Sequence, residues 1–125
     1  MEENNPVKIL MVDDRAENLF ALEVILSNEN YLCVKAGSGT EALKILRREQ
    51  GFALILMDVQ MPVMDGYEAT EAWREQEHDK RIPIIALTAN ASTDNETACL
   101  SAGMDAMLAK PFRKQQLELL LTAWL

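Results

Sequence analysis

Four short, largely apolar runs, Val7 to Val12, Phe52 to Met57, Ile84 to Leu87 and Met107 to Ala109, each stop at a polar or charged side chain. Each has the length of a buried parallel strand and is too short for a buried helix. The residues that end them are Asp13 and Asp14, Asp58, Thr88 and Lys110. Strand-like and helix-like segments alternate five times along the chain. This alternation predicts an α/β fold: a parallel sheet, covered by helices on both faces and joined by short right-handed crossovers. With the strands side by side, one edge of the sheet collects three carboxylates, a hydroxyl and an ammonium. Open α/β sheets bind ligands at that edge.

The segments between the runs support this reading. A first helix, roughly Arg15 to Ser27, carries Leu19, Leu22, Ile25 and Leu26 on one face. The strand after it, Tyr31 to Ala36, includes Lys35 and belongs at a sheet edge. Ser38-Gly39-Thr40-Glu41, Asp65-Gly66-Tyr67-Glu68 and Thr93-Asp94-Asn95-Glu96 each read as a capping box opening a helix. The second helix should run to about Arg48, the third to near Glu77, and the fourth should close at Gly103. Leu100 is the only bulky apolar residue of the fourth helix, which should therefore pack weakly and move easily. A fifth helix, from about Arg113, has Leu117, Leu120, Leu121 and Trp124 on a core-facing stripe, leaving Leu119, Ala123 and Leu125 over for a partner or for further chain.

At 125 residues, with no linker-like tract and no repeat, the chain should form one domain over residues 1–125. A net charge of −8, with no basic cluster longer than Arg47-Arg48, opposes the phosphate contacts of nucleic-acid binding. No apolar stretch approaches the roughly 20 residues that span a bilayer, and Met1 to Pro6 is acidic and polar, unlike a signal peptide. A cytoplasmic protein without membrane contact is expected. Cys33 and Cys99 lack metal or disulfide spacing and read as small core residues in a reducing compartment.

The polar strand ends carry the chemistry. Asp13, Asp14 and Asp58 can approach one point, where like-charge repulsion would raise at least one carboxyl pKa unless a cation intervenes. Mg2+ suits such a site, since it takes oxygen ligands and shares its shell with phosphate oxygens. A carboxylate can act as nucleophile toward phosphorus and become an acyl phosphate. Lys110 would then neutralise one equatorial oxygen and Thr88 would hydrogen-bond another. One of Asp13 and Asp14 should also help to cap the first helix.

The motifs ILMVDD, LILMDVQMPVMDG, PIIALTANA and LAKPF occur in that order and cover essentially the whole chain. In them the sequence resembles the receiver domains of two-component response regulators and of hybrid histidine kinases. DVQMPVMDGYEAT and ALTANA look more like the hybrid-kinase form. The resemblance implies a flavodoxin-like, doubly wound three-layer sandwich: a five-stranded parallel sheet of order 2-1-3-4-5 with five helices. It implies that Asp58 accepts a phosphoryl group from the phosphohistidine of a sensor histidine kinase or a histidine phosphotransfer protein. Thr88 and Lys110 would assist, and Asp13, Asp14, Asp58 and the backbone carbonyl of Gln60 would hold Mg2+. It further implies a cis Lys110-Pro111 bond and a switching surface of fourth helix, fifth strand and fifth helix, through which a homodimer could form. One departure stands out. The family usually has Tyr or Phe three residues before the lysine, where this chain has Met107, flexible and without a hydroxyl.

Other motifs are better explained blandly. Gly37-Ser38-Gly39-Thr40-Glu41-Ala42 fits a dinucleotide fingerprint, but it does not follow the first strand, and Asp58 has a better use than binding a ribose. His78, the only histidine, reads as a solvated helix-end residue and excludes histidine-based metal sites. Met57, Met61 and Met64 read as packing. The rival function is a metal-dependent phosphohydrolase with Asp58 as nucleophile, though 125 residues leave no cap to exclude water. A pseudo-receiver that only binds partners is the third reading.

Overall fold

The computed structural model describes residues 6–27, 30–77, 80–90 and 92–125. Five strands, β1 (Val7–Val12), β2 (Tyr31–Ala36), β3 (Phe52–Asp58), β4 (Ile84–Thr88) and β5 (Ala106–Ala109), alternate with five helices. These are α1 (Ala16–Ile25), α2 (Gly39–Arg48), α3 (Gly66–Gln76), α4 (Thr93–Ala102) and α5 (Lys114–Trp124). All strand pairs are parallel, in the order β2-β1-β3-β4-β5, which puts the lysine-bearing β2 at an edge. Asp58 and Thr88 are the last residues of their strands, one step further along than the apolar runs suggested.

Successive strand residues face opposite sides, so the central strands feed two cores and must be apolar throughout. Ile9, Met11, Leu54, Leu56, Ile85, Leu87 and Leu108 pack against Leu19 and Leu22 of α1 and Leu117 and Leu121 of α5. Leu10, Val12, Ile55, Met57, Ile84 and Ala86 pack against Ala42, Ile45 and Leu46 of α2, Ala69 of α3 and Cys99 of α4. No described helix is long and apolar enough to cross a membrane.

Several local expectations need correction. Asp65 and Glu68 form the reciprocal box at α3. At α2, Ser38 caps Glu41 N–H, but the Glu41 carboxylate reaches one residue further back, to Gly37 N–H at 2.6 Å. The α4 cap is Ser92, accepting from Asn95 N–H, and not Thr93. Neither Asp13 nor Asp14 caps α1, whose N-cap is Arg15 with no side-chain cap bond. Leu100 is not the anchor of α4. It is 59% exposed, and Cys99 and Ala102 are the buried residues. Cys99 and Ala102 are three apart and share a face, whereas Leu100 lies about 100° round the helix from Cys99. Cys33 is only half-buried, while on α5 Leu117 and Leu121 are buried and Trp124 is exposed. The expectation for His78 lies outside the described residues.

Candidate functional site

Register places the acids together. Val12 pairs with Met57, so Asp13 follows directly beside Asp58; Thr88 pairs with Ala109, so Lys110 emerges one residue past it. Ligand oxygens of Asp13, Asp14 and Asp58 lie within 4.8 Å of one another. Asp13 and Asp58 are buried and Asp14 is exposed. The Lys110 ammonium bridges the buried pair, 3.2 Å from Asp13 Oδ2 and 3.1 Å from Asp58 Oδ1. The Lys110-Pro111 peptide bond is cis.

Asp13 is the best-supplied acceptor. Its Oδ1 takes the Arg15 N–H at 2.9 Å, and the Asn18 side-chain amide donates to Oδ1 at 3.3 Å and Oδ2 at 3.2 Å. Asn18 escaped the sequence reading, although its place in the first turn of a helix that begins just after Asp13 is the signal that could have found it. Behind Asp58 the backbone turns so tightly that a β-carbon on Gly66 would stand 2.5 Å from the Asp58 carbonyl oxygen. Only glycine lets α3 start there, with its first N–H on Val59 O at 3.1 Å. Gly39 meets Met64 in the same way, with 3.0 Å left for a β-carbon. Close packing of the start of α2 against the loop before α3 therefore accounts for this glycine of the apparent nucleotide fingerprint.

Burial pushes the Asp58 carboxyl above its ordinary range; Lys110 and the Gln60 N–H pull it down, while the Asp13 charge adds to the rise. For Lys110, burial opposes the charged form, but the hydrogen bonds and charges of Asp58 and Asp13 outweigh it and hold the ammonium above its usual value. Among the described residues, the three acids outnumber the single cation bonded to them, Lys110. This donor set, all carboxylate oxygen with waters able to enter beside exposed Asp14, fits Mg2+ and offers nothing to a soft metal.

A cleft of 370 Å³ exposes Asp14, Asn18, Asp58, Gln60 and Lys110 together. Thr88 stands apart. Its residue parity is that of Ile84 and Ala86, so it faces the α2, α3 and α4 side, while Asp13, Asp58 and Lys110 share the parity of the α1 and α5 side. The buried Thr88 hydroxyl donates to Asn90 O and accepts from Asn90 N–H, both at 3.1 Å. Met107 lies on the same side, its sulfur 3.9 Å from the Cys99 thiol.

The family model "Response regulator receiver domain" matches residues 9–122. The chain belongs to the response regulator receiver domains. This receiver domain is 38% identical over 120 residues to sensor histidine kinase GacS of Pseudomonas protegens, covering 94% of the chain and 13% of GacS. It is 35% identical over 124 residues to sensor histidine kinase RcsC of Escherichia coli, covering 99% and 13%. The chain thus spans about an eighth of the length of these relatives. Among solved structures, Vibrio cholerae chemotaxis protein CheY4 superposes with a TM-score of 0.89 at 32% identity, covering 96% of this chain and 99% of that one. The receiver domain of sensor histidine kinase PA1611 from Pseudomonas aeruginosa, described with a magnesium ion coordinated in its active-site cleft, gives 0.85 at 40% identity, covering 95% and 97%. The receiver domain acts in two-component phosphorelay, and its acidic cluster is compatible with Mg2+.

Proposed function

We propose that Asp58 is the phosphoacceptor and that residues 1–125 work as one unit that carries a phosphoryl group without turning over an external substrate. An Asp58 carboxylate oxygen attacks phosphorus of a phosphohistidine, a P–O bond forms, the P–N bond breaks and its electron pair leaves on the imidazole nitrogen. Lys110, already 3.1 Å from Asp58, neutralises an equatorial oxygen, and Thr88 donates to another after giving up Asn90. Asp13, Asp14, Asp58 and the Gln60 carbonyl would hold Mg2+, which supplies charge neutralisation between carboxylates and phosphoryl oxygens. The observation that carries the reading is the convergence of Asp13, Asp14 and Asp58 within 4.8 Å under a bridging lysine.

The donor in this reading is a sensor histidine kinase or a histidine phosphotransfer protein. An apolar groove of 470 Å³ shares Lys110 with the acidic cleft and supports a protein donor; Ala21, Ile25, Leu87, Phe112 and Asp13 also line it. Exposed Leu100 on α4 and Leu119 on α5 would serve a downstream reader or a homodimer through α4, β5 and α5. We place the protein in the cytoplasm, in keeping with two free cysteines.

Intact mass after incubation with a small-molecule phosphodonor tests the assignment. One phosphate should be gained with Mg2+, none after chelation and none in Asp58→Asn; a label that persists in Asp58→Asn overturns it. Multiple turnover on a phosphate ester would favour the hydrolase. Stability in magnesium-free buffer gives a second test. Because the folded state raises the Asp58 pKa, it holds that proton more tightly than the unfolded chain. Ionisation therefore favours unfolding, and the penalty grows as pH rises from the ordinary value toward the raised one. Asp58→Asn should be the more stable protein above that window in urea titrations, with the difference vanishing below about pH 4.

A further inference from the structure

Lys110 cannot serve an incoming phosphoryl group without partly leaving Asp13. Its ammonium stands almost equidistant from Asp13 Oδ2 and Asp58 Oδ1, at 3.2 and 3.1 Å. Asp13 is fully buried, and Lys110 is the one side-chain cation that bonds it among the described residues. A buried carboxylate deprived of its donor is costly, so Asp13 should hold Lys110 back. Asn18 removes that conflict. Its Nδ2 lies 3.2 Å from the same Oδ2 that Lys110 uses and 3.3 Å from Oδ1. The amide spans both oxygens and fixes the plane of the carboxylate. When Lys110 swings toward a phosphoryl oxygen, Oδ2 keeps a donor. The amide is rigidly carried, because Asn18 sits in the first turn of α1 beside Leu19, which is buried with Leu22 against the sheet.

Charge decides why an amide suits this place. A lysine or arginine here would compete for Asp13 and for the phosphoryl oxygens, and a carboxylate would repel Asp13. We propose that Asn18 is a positioning residue: it stands in for Lys110 at Asp13 and so frees the ammonium to follow the phosphoryl group. The proposal rests on Asp58 being the phosphoacceptor.

The test compares wild type, Asn18→Leu and Asn18→Ala with two probes. The first is Mg2+ alone, measured by calorimetry. The second is Mg2+ with beryllium fluoride, a tetrahedral phosphoryl mimic, backed by labelling rates with a small-molecule phosphodonor. Loss of one hydrogen bond to a charged group predicts that half-saturation for beryllium fluoride rises by about tenfold and the saturating labelling rate falls by a similar factor. The Mg2+ dissociation constant should stay within about twofold, since Asn18 is not among the groups that would hold the ion and Asp13, Asp14 and Asp58 all remain. In a Lys110→Met background, where there is no ammonium to free, Asn18→Leu should shift beryllium fluoride binding by less than about twofold. Equal weakening of both probes, no effect on either, or an undiminished effect in Lys110→Met overturns the role of Asn18. Wild type that takes neither label nor beryllium fluoride would instead overturn the assignment of Asp58.

Discussion

The two faces of the sheet are built from different materials. Toward α1 and α5 the core is Ile9, Leu19, Leu22, Leu26, Leu54, Leu56, Ile85, Leu87, Leu108, Leu117 and Leu121, with Met11 the one sulfur among its buried members. Toward α2, α3 and α4 the branched Leu10, Val12, Ile45, Leu46, Ile55, Val59 and Ile84 and the ring of Phe52 are interspersed with Ala36, Ala42, Ala69, Ala86, Cys99, Met57, Met61 and Met104, with half-buried Met64 and Met107 packed against them. Interlocked branched side chains resist displacement, whereas small residues and flexible thioethers repack at low cost. Strand parity assigns Asp13, Asp58 and Lys110 to the stiff face and Thr88 and Met107 to the yielding one. In the proposed reading, a group that must meet phosphorus in line needs a fixed position. A group that reports its arrival to α4 needs room to move.

The sharpest way to break this contrast is to make a cavity on each side. Leu117→Ala should cost about 2–5 kcal/mol in urea denaturation, because the side chain is fully enclosed between α5 and the sheet. Cys99→Ala removes one buried atom from a helix with only Cys99 and Ala102 buried, and should cost about 1 kcal/mol. Equal costs would mean that α4 is held as firmly as α5.

A second comparison uses a polar defect. Thr70 on α3 is fully buried, and its hydroxyl is the one buried side-chain polar atom without a partner among the described residues. It lies close to Gly103, at the end of α4. An orphan hydroxyl costs about 1–3 kcal/mol, so Thr70→Val, similar in shape, should raise stability by about 1 kcal/mol or more. A loss on this substitution would show that the hydroxyl has a partner in solution and that the α3 and α4 contact is better satisfied than it looks.

How much of this was legible follows from range. The central strands and the acids at their ends are local patterns, readable because each of these strands is apolar on both faces and stops abruptly, while the order of the strands in the sheet comes with the family resemblance. Residue parity, also local, would have separated Thr88 from Asp58 had it been carried across the strands. Leu100 is misleading because hydrophobicity alone does not give burial; helical phase gives the buried face to Cys99 and Ala102. The charge network behind α4 had no local signal. Arg74 binds Asp105 at 2.9 Å and Arg81 binds Asp105 at 2.8 Å, joining residues 31 and 24 positions apart, whereas the Arg74–Glu77 pair at 2.8 Å is local to one helical turn. Only the fold brings them together.

The smallest effect concerns the loop that leads from Asp58 into the yielding side. Met64 N–H bonds Pro62 O at 2.8 Å across Val63, whose φ is +69°. This is a γ-turn of the strained hand centred on a β-branched residue. Val63 is fully exposed, so no packing compensates for the strain. Such a backbone costs about 1–3 kcal/mol, and Val63→Gly would relieve it while adding about 0.4–1 kcal/mol of unfolded-chain entropy. The net gain should be about 0.5–1 kcal/mol, read as a higher urea midpoint at unchanged slope. Val63→Asn separates the two terms, since asparagine tolerates this region without glycine's freedom when unfolded. If neither substitution stabilises, Val63 is not strained, and the yielding face ends at the helices rather than reaching the loop beside Asp58.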